Sequence, residues 1–240
     1  MKKDSRRGLR TWLEIRRQAI KNNCAAFRKI LGANRLLMAV VKSNAYGHGL
    51  IEFSKTIERF GADWLGVDSI VEALALRREG IQKPILVLGY TLPERLSEAH
   101  RNGISLTVSS LETLKAWRKL KNKPKIHLKI DTGMHRQGLL PRQLPEALKM
   151  MNELEGIYTH LAAPGHLSFQ KETQEQIKRF QSAAKFAESK GFKPIKHAAA
   201  TIGSIVRPES HFDMARIGLG LYGIWPTETE RKTFGQKIKL

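Results

Sequence analysis

Along the chain, short continuous apolar runs alternate with longer stretches in which apolar residues recur at helical spacing. The cycle repeats roughly every 25 to 30 residues. Eight runs read as buried strands: LLMAVVK (36–42), WLGVD (64–68), ILVLG (85–89), SLTV (105–108), KIHLKID (125–131), GIYTHLA (156–162), IKHAAA (195–200) and HFDMAR (211–216). Between them, GLIEFSKTIERFG closes at Gly61, SIVEALALRREG at Gly80 and PERLSEAHRNG at Gly103. Glycine directly after the last helical residue fits the left-handed C-cap position. Ser110, Glu112 and Thr113 open SLETLKAWRKL as a helix start. A further helix over residues 15–31 precedes the first strand.

Eight strands, seven helical connections and the leading helix predict an α/β architecture with parallel strands. Eight strands favour closure into a (β/α)8 TIM-type barrel over an open doubly wound sheet. No G-x-G-x-x-G follows the first strand, which argues against a dinucleotide fold. The barrel is expected over residues 1–225. The polar, basic segment PTETERKTFGQKIKL (226–240) reads as a short linker or the start of a further domain.

Composition then narrows the field. At 240 residues and 41% hydrophobic, the chain can bury a substantial core, which excludes intrinsic disorder. The single cysteine, Cys24, excludes an intramolecular disulfide and Cys-rich metal modules, and reads most simply as a buried small residue. His160, His166, His197 and His211 lack metal-ligand spacing, so no metal site is expected. No run of 18 apolar residues exists to span a membrane. The basic opening MKKDSRRGLR leads into no apolar segment, so a signal peptide is not expected and a cytoplasmic setting is. Lys and Arg number 42 against 22 Asp and Glu, a formal charge of +20 that raises the question of nucleic acid. The densest basic run, Arg118 to Lys125, has only Trp117 beside it, with no recognition motif. Most other cations fall on polar helix faces, and nucleic-acid binding is not expected.

In a (β/α)8 barrel the working residues gather at the C-terminal strand ends. Those ends supply Lys42, Asp131 through Arg136, His160, Ala200 with Thr201, and Arg216 with Gly218. This is a cationic, nucleophile-bearing mouth suited to an anionic small molecule. ATIGS (200–204) and IGLGLYG (217–223) read as small-residue loops through which backbone N–H groups can approach a phosphate. Lys42 stands where a buried run opens into SNAYGHG, partly desolvated among other cations, an environment that frees the amine for Schiff-base chemistry. Position alone favours a lysine snorkelling at a strand end.

The string AVVKSNAYGHG (39–49) resembles the pyridoxal-phosphate attachment segment of the alanine racemase family. The resemblance continues in register through RTWLEIRRQAIKNN (10–23), GADWLGVDSIVEALALRREGI (61–81), KIHLKIDTGMHRQG (125–138), GIYTHLA (156–162), KHAAAT (196–201) and HFDMARIGLGLYG (211–223). It implies the N-terminal barrel of a fold-type III pyridoxal 5′-phosphate enzyme that interconverts L-alanine and D-alanine, supplying D-alanine for peptidoglycan. Carried over residue by residue, Lys42 would form the Schiff base and act as one of two catalytic bases. Tyr46 would bind the phosphate, with Thr201 and the backbone of Gly218 and Leu219 completing its cradle. Lys129 matches a lysine often carbamylated in the family, orienting Arg136, which would contact the cofactor and the substrate carboxylate. His160 would lie against the pyridine ring and help hold Arg216, which would face the ring nitrogen. An arginine there leaves the nitrogen largely neutral and weakens the electron sink, favouring reprotonation over competing chemistry.

Each assignment has a plainer competitor. His160 could be a hydrogen-bonded barrel histidine, Tyr46 a packed loop aromatic, Thr201 an N-cap for a helix starting near Ile202, and Lys129 a lysine satisfied by Asp131 or a glutamate. His48 has no evident role. The sequence departs from the family at Ala200-Thr201, where many members have Asn-Ser. In the family a C-terminal β domain supplies the second base, a tyrosine, across a homodimer, and that domain is expected to be missing by Leu240. The alternative reading is a barrel that binds pyridoxal phosphate without racemising.

Overall fold

A computed structural model describes residues 8–240, and the opening MKKDSRR lies outside the described residues. The elements are α1 (Arg17–Leu31), β1 (Leu36–Val40), α2 (Lys42–Tyr46), α3 (Leu50–Arg59), β2 (Trp64–Val67), α4 (Ile70–Arg78), β3 (Ile85–Val87), α5 (Leu96–Arg101), β4 (Ile104–Val108), α6 (Leu111–Arg118), β5 (Ile126–Lys129), α7 (Leu144–Leu148), β6 (Gly156–Tyr158), α8 (Gln170–Ser189), β7 (Ile195–His197), α9 (Thr201–Val206), β8 (Met214–Ile217) and α10 (Glu228–Phe234). All eight expected strands are present, paired in parallel in the order β7-β6-β5-β4-β3-β2-β1-β8. The last seam, β7 to β8, is closed by the bridge Ala200↔Arg216 and by Asp213 N and Arg216 N, each donating at 3.0 Å to Lys196 O and Ala199 O. The result is a nearly closed (β/α)8 barrel.

The helix punctuation follows from backbone chemistry. Gly61, Gly80 and Gly103 take φ of 103°, 83° and 58°, the left-handed region in which a side chain is strained. Ser69 and Ser110 cap α4 and α6 by accepting from Glu72 N at 3.3 Å and Thr113 N at 3.1 Å.

Several expectations require correction. The stretch ATIGS is not a loop: Thr201 to Ser204 form the opening of α9. Nor is Thr201 a helix N-cap. Ala200 holds that position, and the Thr201 hydroxyl accepts instead from Gly218 N at 3.2 Å and Gly220 N at 3.3 Å, tying β7 to the turn after β8. The expected strands GIYTHLA and IKHAAA also stop early, at Tyr158 and His197. Just beyond them, Thr159 O and Ala198 O accept from the Arg216 side chain at 2.8 and 3.0 Å.

Apolar residues between strands and helices form the main core. Inside the barrel the filling is divided. Met38, Trp64, Leu86 and Met214 make one apolar cluster, whereas His127, Lys129, Tyr158, His197 and Arg216 bring buried polar groups from β5 to β8. Segment 226–240 carries α10, capped by the Thr227 hydroxyl accepting from Glu230 N at 3.1 Å, and Ile238 is buried. Among the described residues no helix is long and apolar enough to cross a membrane.

Candidate active site

A cavity of about 790 Å³ opens at the C-terminal ends of the strands. Lys42, Tyr46, Lys129, Arg136, His160, Thr201, Arg216, Gly218 and Leu219 all line it, although they are spread over nearly 180 positions (219 − 42 = 177). The cavity also takes in Asp68, Gln137, Tyr158 and, from the C-terminal segment, Thr227 and Glu230, none of which sequence reasoning singled out.

Lys42 enters this cavity from an unusual backbone. Ser43, Asn44, Ala45 and Tyr46 have φ of 54°, 55°, 53° and 51°, so α2 is a single left-handed turn built without glycine. Left-handed geometry costs roughly 1–2 kcal/mol per L-residue and persists only where the surroundings hold it. Here several bonds do so. Ala45 N donates to Val41 O at 2.8 Å, and Gly49 N to Asn44 O at 3.0 Å. Asn44 Oδ1 accepts from Leu50 N at 2.8 Å, securing the start of α3. Glu72 bridges the turn to β2, accepting from Asn44 N at 3.3 Å and Asp68 N at 2.8 Å. His48, without evident role in the sequence, packs against Tyr222 at 4.8 Å between ring centroids, and its Nδ1 lies 3.2 Å from Tyr46 O. Tyr222 donates to Val40 O at 3.0 Å and also packs on Tyr46 and Phe53.

The expectation that Lys42 stands only among cations is corrected: its Nζ pairs with Asp68 Oδ1 at 3.0 Å. Burial pushes the neighbouring Tyr46 phenol up, Lys42 pulls it down and Asp68 raises it. The Tyr46 hydroxyl reaches Gly218 because that residue has no side chain; a Cβ there would sit 3.0 Å from the phenol oxygen.

The opposite side is buried and densely hydrogen-bonded. Arg216 is 4% exposed. Its Nη1 donates to His197 Nδ1 at 2.8 Å, and its Nη2 to Thr159 O and Ala198 O, with His160 Nδ1 at 3.4 Å. Burial lowers Arg216 to about 10, with Tyr158 raising and Arg136 lowering it further. His160 is depressed to about 3, first by burial and then by Arg216, Arg136, Lys129 and Lys42, so its ring is neutral near pH 7.

Lys129 is not satisfied by Asp131. That carboxylate accepts from the amides of Gly133, Met134 and His135 at 2.9, 2.9 and 3.1 Å, while Lys129 Nζ donates to Gln137 Oε1 at 3.2 Å. Burial, then Arg136 and Arg216, bring Lys129 down to about 8. A substantial fraction of this amine is therefore neutral near pH 8.

Fold and cavity together define an α/β barrel with Lys42, Lys129, Arg136 and Arg216 gathered at its C-terminal mouth. The chain belongs to the alanine racemase N-terminal domain family, whose model matches residues 15–226. It is 44% identical over 232 residues to an alanine racemase of Methanococcus maripaludis, covering 92% of this chain and 62% of that protein. Alanine racemase 1 of Oceanobacillus iheyensis is 39% identical over 227 residues, covering 90% and 60%. Among solved structures, alanine racemase from Bacillus anthracis with bound L-Ala-P superposes with a TM-score of 0.87 at 32% identity, covering 93% of this chain and 60% of that one. Alanine racemase of Clostridium difficile 630 gives a TM-score of 0.86 at 30% identity, again covering 93% and 60%. The chain thus spans about three fifths of the length of these relatives.

Proposed function

We propose that this barrel binds pyridoxal 5′-phosphate, the cofactor of the alanine racemase family, and contributes one of the two proton-transferring groups of a racemase acting on alanine. The observation that carries the reading is the meeting of Lys42, Tyr46, Thr201, Arg136 and Arg216 in one cavity. The donor set fits the cofactor. Thr201 Oγ1 already accepts two backbone N–H groups, which leaves its own proton for an anion, and Tyr46 stands over side-chain-free Gly218. Four cationic side chains, Lys42, Lys129, Arg136 and Arg216, face Asp68 and Glu230, so the cavity suits a phosphate and a carboxylate.

When bound, pyridoxal phosphate supplies a carbonyl for a lysine amine and a ring that draws electron density from the substrate α-carbon. The remaining roles belong to side chains. Lys42 Nζ attaches the cofactor and moves the α-proton on one face. Tyr46, Thr201 and the backbone at Gly218 and Leu219 hold the phosphate. Arg136 meets the substrate carboxylate. Arg216 donates toward the ring nitrogen and, as a guanidinium, keeps its proton, while neutral His160 braces it. Lys129 is proposed to react as its neutral amine with carbon dioxide, giving a carbamate and a proton; the carbamate would then pair with Arg136.

Inverting a stereocentre requires a proton group on each face of the α-carbon, because a single base returns the proton to its starting side. We assign the second to polypeptide outside this barrel, in a dimer of the full-length family type. A D-alanine supply for peptidoglycan follows from the same reading. A second reading is that the barrel alone binds the cofactor without turnover. Reconstitution with pyridoxal phosphate should give a visible protein-bound absorbance that Lys42→Ala abolishes, and its persistence in that variant would remove the proposal. Racemisation of L-alanine by the 240-residue chain alone would overturn the assignment of the second base.

A further inference from the structure

The barrel interior carries a line of polar groups that the cavity does not need for its lining. It begins at Glu155, just before β6, at the end of the barrel remote from the cavity. The Glu155 carboxylate accepts from the Ser105 hydroxyl, and its Oε1 lies 3.2 Å from Lys125 Nζ. His127 Nε2 stands 3.3 Å from Glu155 Oε2, in contact but outside hydrogen-bond alignment. His127 Nδ1 meets His197 Nε2 at 2.8 Å, and His197 Nδ1 meets Arg216 Nη1 at 2.8 Å.

The direction of every proton along this line is dictated by its end. Arginine only donates, so His197 Nδ1 accepts. A neutral His197 then carries its proton on Nε2 and gives it to His127 Nδ1. A neutral His127 carries its proton on Nε2, facing the carboxylate. Burial, reinforced by Arg216 and His127, holds His197 well below the ordinary histidine range. Burial likewise lowers His127 despite the opposing pull of Glu155. Burial raises the Glu155 carboxyl, but His127, Ser105 and Lys125 outweigh it and keep it below its ordinary value.

The seat is also built. A Cβ on Gly156 would lie 2.1 Å from His127 Nδ1, so only glycine lets that ring cross β6. Trp64 meets His127 edge-on at 5.4 Å, and Tyr158 stacks on His197 at 4.6 Å with planes 6° apart.

We propose that Glu155, His127 and His197 are positioning residues: a relay running the length of the barrel that fixes the imidazole tautomers and so holds the Arg216 guanidinium in the orientation it presents to the cofactor's ring nitrogen. This rests on the reading of Arg216 given above. A charge at one end of the barrel is thereby coupled to the cavity at the other through three side-chain contacts, each polarising the next.

Imidazole nitrogen-15 spectra of the unloaded protein test the relay without the cofactor. His127 and His197 should both be neutral with Nε2 protonated at neutral pH. Glu155→Gln should shift the nitrogen signals of both rings. In the loaded protein the same variant should displace the visible band of bound pyridoxal phosphate and weaken its binding by roughly two- to thirtyfold, the range of coupling through packed networks. Gly156→Ala, which expels His127 from its seat, should act in the same direction. A wild-type His197 protonated on Nδ1 overturns the proposal. So does a Glu155→Gln variant whose His197 signals and visible band match the wild type. If Arg216→Lys leaves the visible band unchanged, the assignment of Arg216 to the ring nitrogen falls, while the spectra of the unloaded protein still judge the relay.

Discussion

The two sides of the cavity hold their cations by opposite means. On the β1–β2 side, the Lys42 side chain is 37% exposed and meets a single carboxylate, Asp68, itself 55% exposed. Its backbone leads directly into four residues of left-handed conformation. On the β5–β8 side, Arg216 is buried, its Nη1 donating to His197 and its Nη2 to Thr159 and Ala198 beside His160. The interior behind them also differs, with methionine, tryptophan and leucine from β1 to β3 joined by Met214 of β8, and histidine, lysine and tyrosine from β5 to β7. Under the proposed function the Lys42 amine forms and breaks a covalent bond, which needs room and a weakly held partner. The Arg216 guanidinium, proposed to present fixed charge, needs the reverse. Burial with dense hydrogen bonding gives rigidity, and exposure on a strained turn gives a side chain that can change partners.

The largest test of this contrast is stability. Arg216→Leu relieves the desolvation of a buried cation but leaves His197 Nδ1, Thr159 O and Ala198 O without their donor. Unpaired buried acceptors cost about 1–3 kcal/mol each, so the net loss should be about 3 kcal/mol. Lys42→Ala removes only a half-exposed ion pair and should stay within about 1 kcal/mol of wild type. Urea denaturation of the two variants checks both, and equal losses would break the contrast.

Acid should act on the β5–β8 side first. His160 titrates at about 3 in the native protein because burial and then Arg216 disfavour its charged form. Its folded value lies below the unfolded one, so between about pH 6.5 and 3 the unfolded chain binds a proton that the native state does not. Stability contributed by this group is therefore complete above that window and falls as pH drops through it. Between pH 7 and 5 the loss should be about 1–2 kcal/mol. His127 and His197, also depressed, add to it in the same direction. His160→Gln should flatten the dependence of the urea midpoint on pH over this range.

How much of this was legible in the sequence depended on whether the information was local. The first strands declared themselves as short apolar runs and the later ones by their place in the repeat, and the helix ends because Gly61, Gly80 and Gly103 follow them. Lys42 and Arg216 were reachable through motif resemblance. Asp68, Glu72 and Glu155 were not, because their roles exist only across space: Lys42 to Asp68 spans 26 positions, Asn44 to Glu72 spans 28, and Ser105 to Glu155 spans 50. The plainer N-cap reading of Thr201 failed for the same reason, its hydroxyl being claimed by amides 17 and 19 residues away. The left-handed turn was hidden because Ser43, Asn44, Ala45 and Tyr46 include only one residue, Asn44, with a tendency to that geometry.

Glu72 should be the lock on that turn. Glu72→Ala removes the acceptor for Asn44 N and Asp68 N, of which the first is a long bond at 3.3 Å and both are exposed. Exposure limits the expected cost to about 1 kcal/mol. Hydrogen exchange is the sharper readout: the amides of Asn44 and Asp68 should lose protection, while those of Thr159 and His197 keep theirs. A loss spread evenly over both sides would mean that the turn is held by the barrel as a whole.

The smallest expected effect on stability separates strain from function. Ser43 is exposed, and its φ of 54° costs an L-residue roughly 1–2 kcal/mol that glycine does not incur. Glycine returns part of that gain through the larger entropy of its unfolded state, so Ser43→Gly should stabilise the protein by about 0.5 kcal/mol. The same change loosens the turn that aims Lys42. If strain is what holds the amine toward the cavity, pyridoxal phosphate should attach more slowly to Ser43→Gly even as the urea midpoint rises. A variant that is more stable and attaches the cofactor as quickly as wild type would show that Asp68 and the strand, and not the left-handed turn, position Lys42.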